Sequence, residues 1–219
     1  PGDRGGIGSF PLAGGIMKPF TFATGVYASG DWESGQLVPA VVIDSLARHT
    51  TLPVSPGGVN VPLDSAELFE YPFLFLTGHL AVRFTAAERR NLLRFVNRGG
   101  FVFMDDHNHD INGVFHKTAT EELARLFGPL RQVPNDHELY RAFFHFRDGP
   151  PATNHEMNGW GDNLVHEHLL GVIREGRIDV LYSSKDYSSE WSMHPESKRF
   201  MEVDPSRFAV NIVVYALTR

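Results

Sequence analysis

Cysteine is absent from the 219-residue chain. This absence excludes a cysteine nucleophile, a thiolate-bound zinc ion, an iron–sulfur cluster and any disulfide. A chain without thiols that starts at Pro1 and not at methionine suits a protein whose export signal has been removed, although a shortened chain would start in the same way. We therefore expect a periplasmic or extracellular location.

Concentrated positive charge and long apolar runs are also lacking. The formal net charge is −6, and no Lys/Arg cluster stands out, so we expect no nucleic-acid partner. No apolar run approaches the length of a membrane span. The hydrophobic share of 42% is enough for the core of a single domain, which we assign to residues 20–219. Residues 1–19 are rich in Gly and Pro and are predicted to form an irregular arm, which could pack on a neighbouring subunit of a homo-oligomer.

Apolar runs and helical patterns alternate through the first part of the chain. Strands are predicted at residues 20–27, 59–63 and 71–79 and within the stretch 98–110, where the apolar run stops at Asp105. Helices are predicted at residues 36–49, after a capping box that starts at Thr85, and after a second capping box at Thr118. This alternation favours an α/β domain with a three-layer, flavodoxin-like architecture, in which helices cover both faces of a mostly parallel sheet.

The second part of the chain is less regular. Residues 145–168, which we call the histidine-rich segment, are long, polar and without a periodic pattern, as in a lid, a binding loop or a disordered stretch. Two short apolar runs flank Glu175 and Gly176 and predict a hairpin. Residues 208–217 are apolar enough to form a buried closing helix, although their Val, Ile and Tyr content leaves a strand open.

Polar side chains follow four of the predicted strands. They are Asp31 with Trp32, His79, the run Asp105-Asp106-His107-Asn108-His109, and Lys185-Asp186-Tyr187. Because the carboxyl ends of parallel strands lie at one edge of a sheet, we expect these groups to converge there on a ligand. Asp31, Trp32, Asp186 and Tyr187 are predicted to line the pocket, and Trp32 offers a flat face to a carbohydrate or another small molecule.

The same edge has the ligand types of a metal site without sulfur. Asp106, His107 and His109 are predicted to bind a divalent ion (Zn, Mn or Fe), together with His137 from the next loop. Metal-activated water would be the nucleophile, with Asp106 and His79 as catalytic groups. His79 could be the general base or a further metal ligand. The alternative is structural: the carboxylates cap turns, Asp136 caps a helix that starts at His137, and the imidazoles are solvated.

Other catalytic patterns are weaker. The chain has no Gly-x-Ser-x-Gly elbow, and its paired histidines do not fit His-Glu-x-x-His, although His166 and His168 could bind a metal from one extended segment. A glycosidase with Asp31 and Asp106 as its two carboxylates would depend on their separation.

Several motifs resemble one bacterial family. They are Gly30-Asp31-Trp32, Tyr71-Pro72-Phe73 with Thr77-Gly78-His79, Gly99-Gly100-Phe101 with Asp105-Asp106, and the ending Val210-Asn-Ile-Val-Val-Tyr-Ala-Leu-Thr218. Over about residues 20–219 the chain resembles the domain of unknown function 4159 family. The resemblance implies a fold like the class I glutamine amidotransferase superfamily and favours an exported protein. It implies no amidotransferase activity, because that chemistry needs a cysteine.

Two hypotheses follow for the function. The first is an exported, ligand-binding or hydrolytic domain with a divalent metal at the strand ends. The second is a non-catalytic interaction module of the cell envelope or of an assembly, which the absence of a recognised catalytic triad favours.

Overall fold

A computed structural model describes residues 18–192 and 203–219. Most of the predicted arm, residues 1–17, lies outside this part of the chain. A seven-stranded sheet has the order β2-β1-β3-β4-β7-β6-β5. Its strands are β1 (Ala23–Val26), β2 (Val59–Pro62), β3 (Phe73–Gly78), β4 (Phe101–Asp106), β5 (Arg131–Gln132), β6 (Leu170–Arg174) and β7 (Arg177–Ser183).

The centre of the sheet is parallel, as predicted. Strands β3 and β4 are buried at every position, which explains why their sequences are continuously apolar and do not alternate. They pair in register from Phe73 opposite Phe101 to Gly78 opposite Asp106. Residues that follow the two strands, including His79 and His107, are therefore neighbours at one edge.

Six α-helices accompany the sheet in the described residues: α1 (Val38–His49), α2 (Ala86–Asn97), α3 (Val114–Phe127), α4 (Asn154–Met157), α5 (Tyr187–Ser192) and α6 (Val203–Thr218). Short 3₁₀ helices lie at Trp32–Gly35, Ala66–Glu70 and Glu138–Arg141. One core cluster joins α1, α5 and α6 to the sheet, and the other joins α2 and α3 to it. The three-layer prediction is confirmed. Within the described ranges, no helix combines the length and apolar character needed to cross a bilayer.

Several predicted elements are confirmed, and one helix start is wrong. The Thr85 capping box is present, strands β6 and β7 form the predicted hairpin, and α6 is the closing helix. Helix α3, however, begins at Val114 and not at Thr118. The Thr118 hydroxyl donates to the carbonyl of Val114 within the helix, at 2.7 Å, so this threonine does not act as a cap. The two-residue strand β5 was not predicted, because it is too short to show a pattern.

Candidate functional site

The candidate site lies at the edge where the parallel strands β1, β3, β4 and β7 end. Here His79 follows β3 and His107 follows β4, while Asp31 and Asp186 come from the segments after β1 and β7. We call His79 and His107 the histidine pair. Their rings stack with centroids 4.4 Å apart and an interplanar angle of 20°.

His79 is oriented by Asp31. Its Nδ1 lies 2.7 Å from Oδ2 of Asp31, while Oδ1 accepts hydrogen bonds from the backbone N–H groups of His79 and Leu80 at 2.8 and 2.9 Å. Burial raises the pKa of Asp31, but these hydrogen bonds outweigh it and hold the pKa below its usual value. An ionised Asp31 favours the proton on Nδ1 and leaves Nε2 as the acceptor nitrogen. The side chain of His79 is 40% exposed, so a ligand can reach it.

His107 lies between His79 and Asp186. Its Nδ1 is 3.3 Å from the hydroxyl of Ser34, and its Nε2 is 3.8 Å from Oδ1 of Asp186. Burial lowers the pKa of His107, although the charge of Asp186 opposes this shift. His107 is therefore a neutral imidazole at neutral pH.

Asp186 also contacts His155, which lies in the histidine-rich segment. Oδ2 of Asp186 is hydrogen-bonded to Nδ1 of His155, and Oδ1 accepts from the backbone N–H of Ser189 at 3.0 Å. The hydrogen bond to Asp186 raises the pKa of His155. Trp160 stacks on the His155 ring with centroids 5.7 Å apart. The segment thus brings a second carboxylate–imidazole pair and an aromatic face to the edge.

Asp105 and Asp106 are buried on opposite faces of β4 and do not join the histidine pair. Oδ2 of Asp105 accepts from the backbone N–H and the hydroxyl of Ser188 at 2.7 and 2.6 Å, and Oδ1 of Asp106 accepts from the backbone N–H of Asn108 at 2.9 Å. Burial raises the pKa of Asp105 to about 8 and that of Asp106 to about 7. The other oxygen of each carboxyl has no hydrogen-bond partner within residues 18–192 and 203–219. Because Asp106 has no exposed surface, it cannot form with Asp31 the open carboxylate pair of a glycosidase.

His137 lies far from this edge. Its Nε2 is 2.9 Å from the carbonyl of Gly176, in the turn that precedes β7, and its Nδ1 accepts from the backbone N–H of Leu139 at 3.1 Å. Since β7 is parallel to β4, that turn belongs to the opposite edge of the sheet. The four residues predicted to share a metal ion, Asp106, His107, His109 and His137, are therefore not brought together.

The residues predicted to line the pocket are not all brought together. Asp31 and Asp186 flank the histidine pair, as described. Tyr187 is fully buried, donates its hydroxyl to the carbonyl of Pro151 at 2.7 Å and stacks on Trp191, so it belongs to the core. Trp32 is partly buried and packs against the core cluster on the α2–α3 side. The exposed aromatic ring near the site is Trp160, whose exposure is 64%.

A second group of side chains, the His109 cluster, consists of His109, Asp162 and His166. Nε2 of His109 is 3.5 Å from Oδ1 of Asp162, and Nε2 of His166 is 2.9 Å from Oδ2 of Asp162. The arrangement can hold a metal ion. An open cavity of about 350 Å³ lies beside it, lined in part by His116, His166 and Ser184.

No sequence pattern pointed to two of the side chains described above, those of Asp162 and Ser34. Asp162 is an isolated acid in an aperiodic loop, and Ser34 lies in a polar turn. His155 and His166 drew notice only through the density of histidines. A second cavity, of about 260 Å³, lies at the opposite sheet edge around Phe20 and Arg98, away from all of these groups.

Comparisons with known proteins place the chain in a family and leave its activity open. None of the curated proteins matches it. A solved structure described as a ThuA-like protein from Bacteroides uniformis ATCC 8492 is 12% identical, with 95% of each chain covered and a TM-score of 0.45. The model of a family described as Domain of unknown function (DUF4159) matches residues 21–217. The chain belongs to the DUF4159 family.

Proposed function

We propose that this domain is a hydrolytic enzyme in which His79 acts as the general base and His155 as the general acid on a small-molecule or carbohydrate ligand. The observation that carries the proposal is the stack of His79 on His107 between two carboxylates, Asp31 and Asp186. An imidazole whose Nδ1 is fixed by a carboxylate presents Nε2 as a base, as in catalytic triads.

The site has a candidate base and a candidate acid for the two proton transfers of hydrolysis. His79, oriented by Asp31, takes a proton from an attacking water molecule. His155, whose pKa is raised by Asp186, donates a proton to the leaving group. Buried His107 lies between them, where it stacks on His79 and faces Asp186.

The surface around the histidine pair suits a ligand with an apolar face. Trp160 is 64% exposed and stacks on His155, and Leu80, which follows His79, is 55% exposed. A sugar ring or another flat ligand could lie on the indole while its polar groups reach the imidazoles. This is the role that the sequence assigned to Trp32.

The proposal can be tested on a panel of chromogenic glycosides and esters. The wild-type protein is expected to hydrolyse at least one member, and His79→Gln and Asp31→Asn are expected to lower kcat/KM by about 100-fold or more, the usual share of general acid–base catalysis. His145→Gln, which alters an exposed histidine outside the site, is the matched control. Equal activity of His79→Gln and the wild type would refute the proposal.

A second candidate function is a non-catalytic interaction module. It is favoured by the large apolar side chains that the histidine-rich segment exposes: Met157, Trp160, Leu164 and Val165, which are 49 to 66% exposed. Such a surface predicts a partner protein or a second copy of the chain. Sedimentation of the wild type and of Trp160→Ser would then show self-association that the variant loses, with no hydrolysis by either protein.

We further propose that the domain works outside the cytoplasm, in the periplasm or the extracellular medium. The absence of cysteine from 219 residues supports this location, as does a candidate site built only from oxygen and nitrogen ligands. Immunodetection in fractions of the native cells would test it, and a purely cytoplasmic signal would refute it.

A further inference from the structure

We infer that the His109 cluster is a zinc site that clamps the histidine-rich segment onto the edge of the sheet. The site uses none of the residues assigned to hydrolysis, so the inference does not depend on the proposed function. Its ligands would be Nε2 of His109, Nε2 of His166, a carboxylate oxygen of Asp162 and the backbone carbonyl of Leu164.

The spacing of these atoms fits one small cation. Nε2 of His109 lies 2.8 Å from the Leu164 carbonyl oxygen and 3.5 Å from Asp162, and Nε2 of His166 lies 2.9 Å from Asp162. Ligands about 2.0–2.1 Å from a tetrahedral zinc ion lie roughly 3.3 Å from one another. The three side-chain ligand atoms all lie within 4.8 Å of one another, so modest side-chain movements would close them around one ion.

The hydrogen bonds of His109 point to a place for a cation at its Nε2. Its Nδ1 lies 2.7 Å from the carbonyl oxygen of Ser184, which can only accept, so Nδ1 carries a proton. In the neutral ring Nε2 then holds a lone pair, yet it faces another acceptor, the carbonyl oxygen of Leu164. Either a second proton or a metal ion must lie between them. A ring N–H donated to a backbone carbonyl is the usual outer support of a metal-bound histidine.

Asp162 and His166 favour the metal over a second proton. The carboxylate would pair with an imidazolium as well, but the second imidazole at the same point adds a ligand that suits a metal ion. The side chains of His109 and Asp162 are 0% and 1% exposed, whereas that of His166 is 14% exposed and borders the open cavity. The carboxylate is also held by the backbone N–H groups of Ile111 and Leu164 at 3.1 and 3.0 Å.

The ligand set favours a transition metal over Mg²⁺ or Ca²⁺, and zinc is the ion that we test. Two imidazoles and one carboxylate suit Zn²⁺, whereas Mg²⁺ and Ca²⁺ prefer oxygen ligands only. With the Leu164 carbonyl as the fourth ligand, no position is left open for water. A closed, four-coordinate site is structural.

The structural role follows from where the ligands lie. His109 belongs to the loop after β4, and the other three ligands belong to the histidine-rich segment. The two segments approach so closely that a Cβ on Gly161 would clash with the carbonyl oxygen of His109. The backbone N–H of Asp162 donates to the same oxygen at 2.9 Å. The ion would lock this contact and with it the position of Trp160.

Elemental analysis tests the inference directly. Protein without a polyhistidine tag is incubated with excess ZnCl₂, desalted and measured for zinc per chain. The wild type is expected to retain one equivalent, and Asp162→Asn and His166→Gln are expected to lose it. His168→Gln is the matched control, because His168 lies in the same segment but bonds Asn135, 2.9 Å away, and should keep the zinc.

Two results would overturn the inference. Wild-type protein that retains no zinc would show that hydrogen bonds alone hold the cluster. Equal zinc in the wild type and in both variants would show adventitious binding to surface histidines. Circular dichroism of each variant establishes that it is folded, and zinc is expected to raise the Tm of the wild type but not that of Asp162→Asn. None of these measurements uses hydrolytic activity.

Discussion

Replacing Asp105 by asparagine should stabilise the domain at alkaline pH and flatten the dependence of its stability on pH. Asp105 is fully buried at the end of β4, and its pKa is raised from the ordinary value of 3.8 to about 8, chiefly by burial and then by the charge of Asp186. The unfolded chain ionises at the ordinary pKa, so folding must bind a proton or bury a charge.

The sign and the size of the effect follow from this difference. The stability associated with Asp105 is fully present below about pH 4, falls as the pH rises towards 8, and is then constant. The loss is about 1.4 kcal/mol per pH unit, so at pH 7 it amounts to on the order of 4 kcal/mol. Asp106, whose pKa is raised to about 7, adds a further loss of stability as the pH rises from about 4 to 7.

Asparagine resembles the protonated carboxyl and does not titrate. Its side-chain oxygen can still accept from Ser188, but its NH₂ group would lie where Oδ1 of Asp105 has no partner among the residues described. The desolvated amide costs about 1–3 kcal/mol, so we expect a net gain of about 1–3 kcal/mol at pH 7, a larger gain at pH 8 and no gain at pH 5.

Urea denaturation at pH 5, 6, 7 and 8, followed by circular dichroism, measures this effect. Asp64→Asn, which changes an exposed carboxylate, is the control and should follow the wild-type profile. A profile of Asp105→Asn parallel to that of the wild type, or lower stability of the variant at pH 8, would show that ionisation of Asp105 does not limit the stability of the fold.

Three further variants probe how the site is held. Lys185→Met removes one partner of a buried ion pair whose Nζ–Oε1 distance to Glu156 is 2.7 Å, and should lower the free energy of unfolding by about 3–5 kcal/mol in urea titrations. Asn211→Ala removes three buried hydrogen bonds to backbone groups and should cost about 2–4 kcal/mol in the same assay. Gly161→Ala places a methyl group against the carbonyl of His109 at a φ of +63° and should speed proteolysis within residues 145–168.

Each of these variants has an exposed counterpart as its control. Lys117→Met and Asn112→Ala should change the free energy of unfolding by less than about 0.5 kcal/mol. Gly57→Ala, where an added Cβ meets no atom within 4 Å, should leave the cleavage rate unchanged. Losses of equal size in a variant and its counterpart would contradict the role given to the buried residue.

The fold could be predicted from the sequence because its strongest signals are local. Strands β3 and β4 are buried on both faces and therefore read as uninterrupted apolar runs. The Thr85 capping box requires only residues three positions apart. The start of α3 was missed because Gly113 provides no side-chain cap, whereas Thr118, inside the helix, mimics one.

The site was predicted as a location but not as a set of contacts. The parallel sheet required the strand ends to meet, and His79 and His107 do stack. The partners of these residues depend on backbone conformations that no pattern reveals. Asp186 has a φ of +58° and His109 a φ of +51°, both in the left-handed region that non-glycine residues rarely adopt. These two turns send one side chain towards the histidine pair and the other towards Asp162.

The histidine-rich segment is better explained as a fixed part of the site than as a mobile lid. Lys185 donates to Glu156 and, at 2.6 Å, to the carbonyl of His166, so a single buried cation joins two points of the segment to the end of β7. Burying such a pair gains little stability over an apolar contact of the same size. The pair does fix one geometry, because Lys185 and Glu156 would each become an unpaired buried charge if the segment moved away. The segment carries His155, Trp160 and three of the four proposed zinc ligands, all of which need that geometry. We therefore interpret the buried ion pair as a device for positioning the segment.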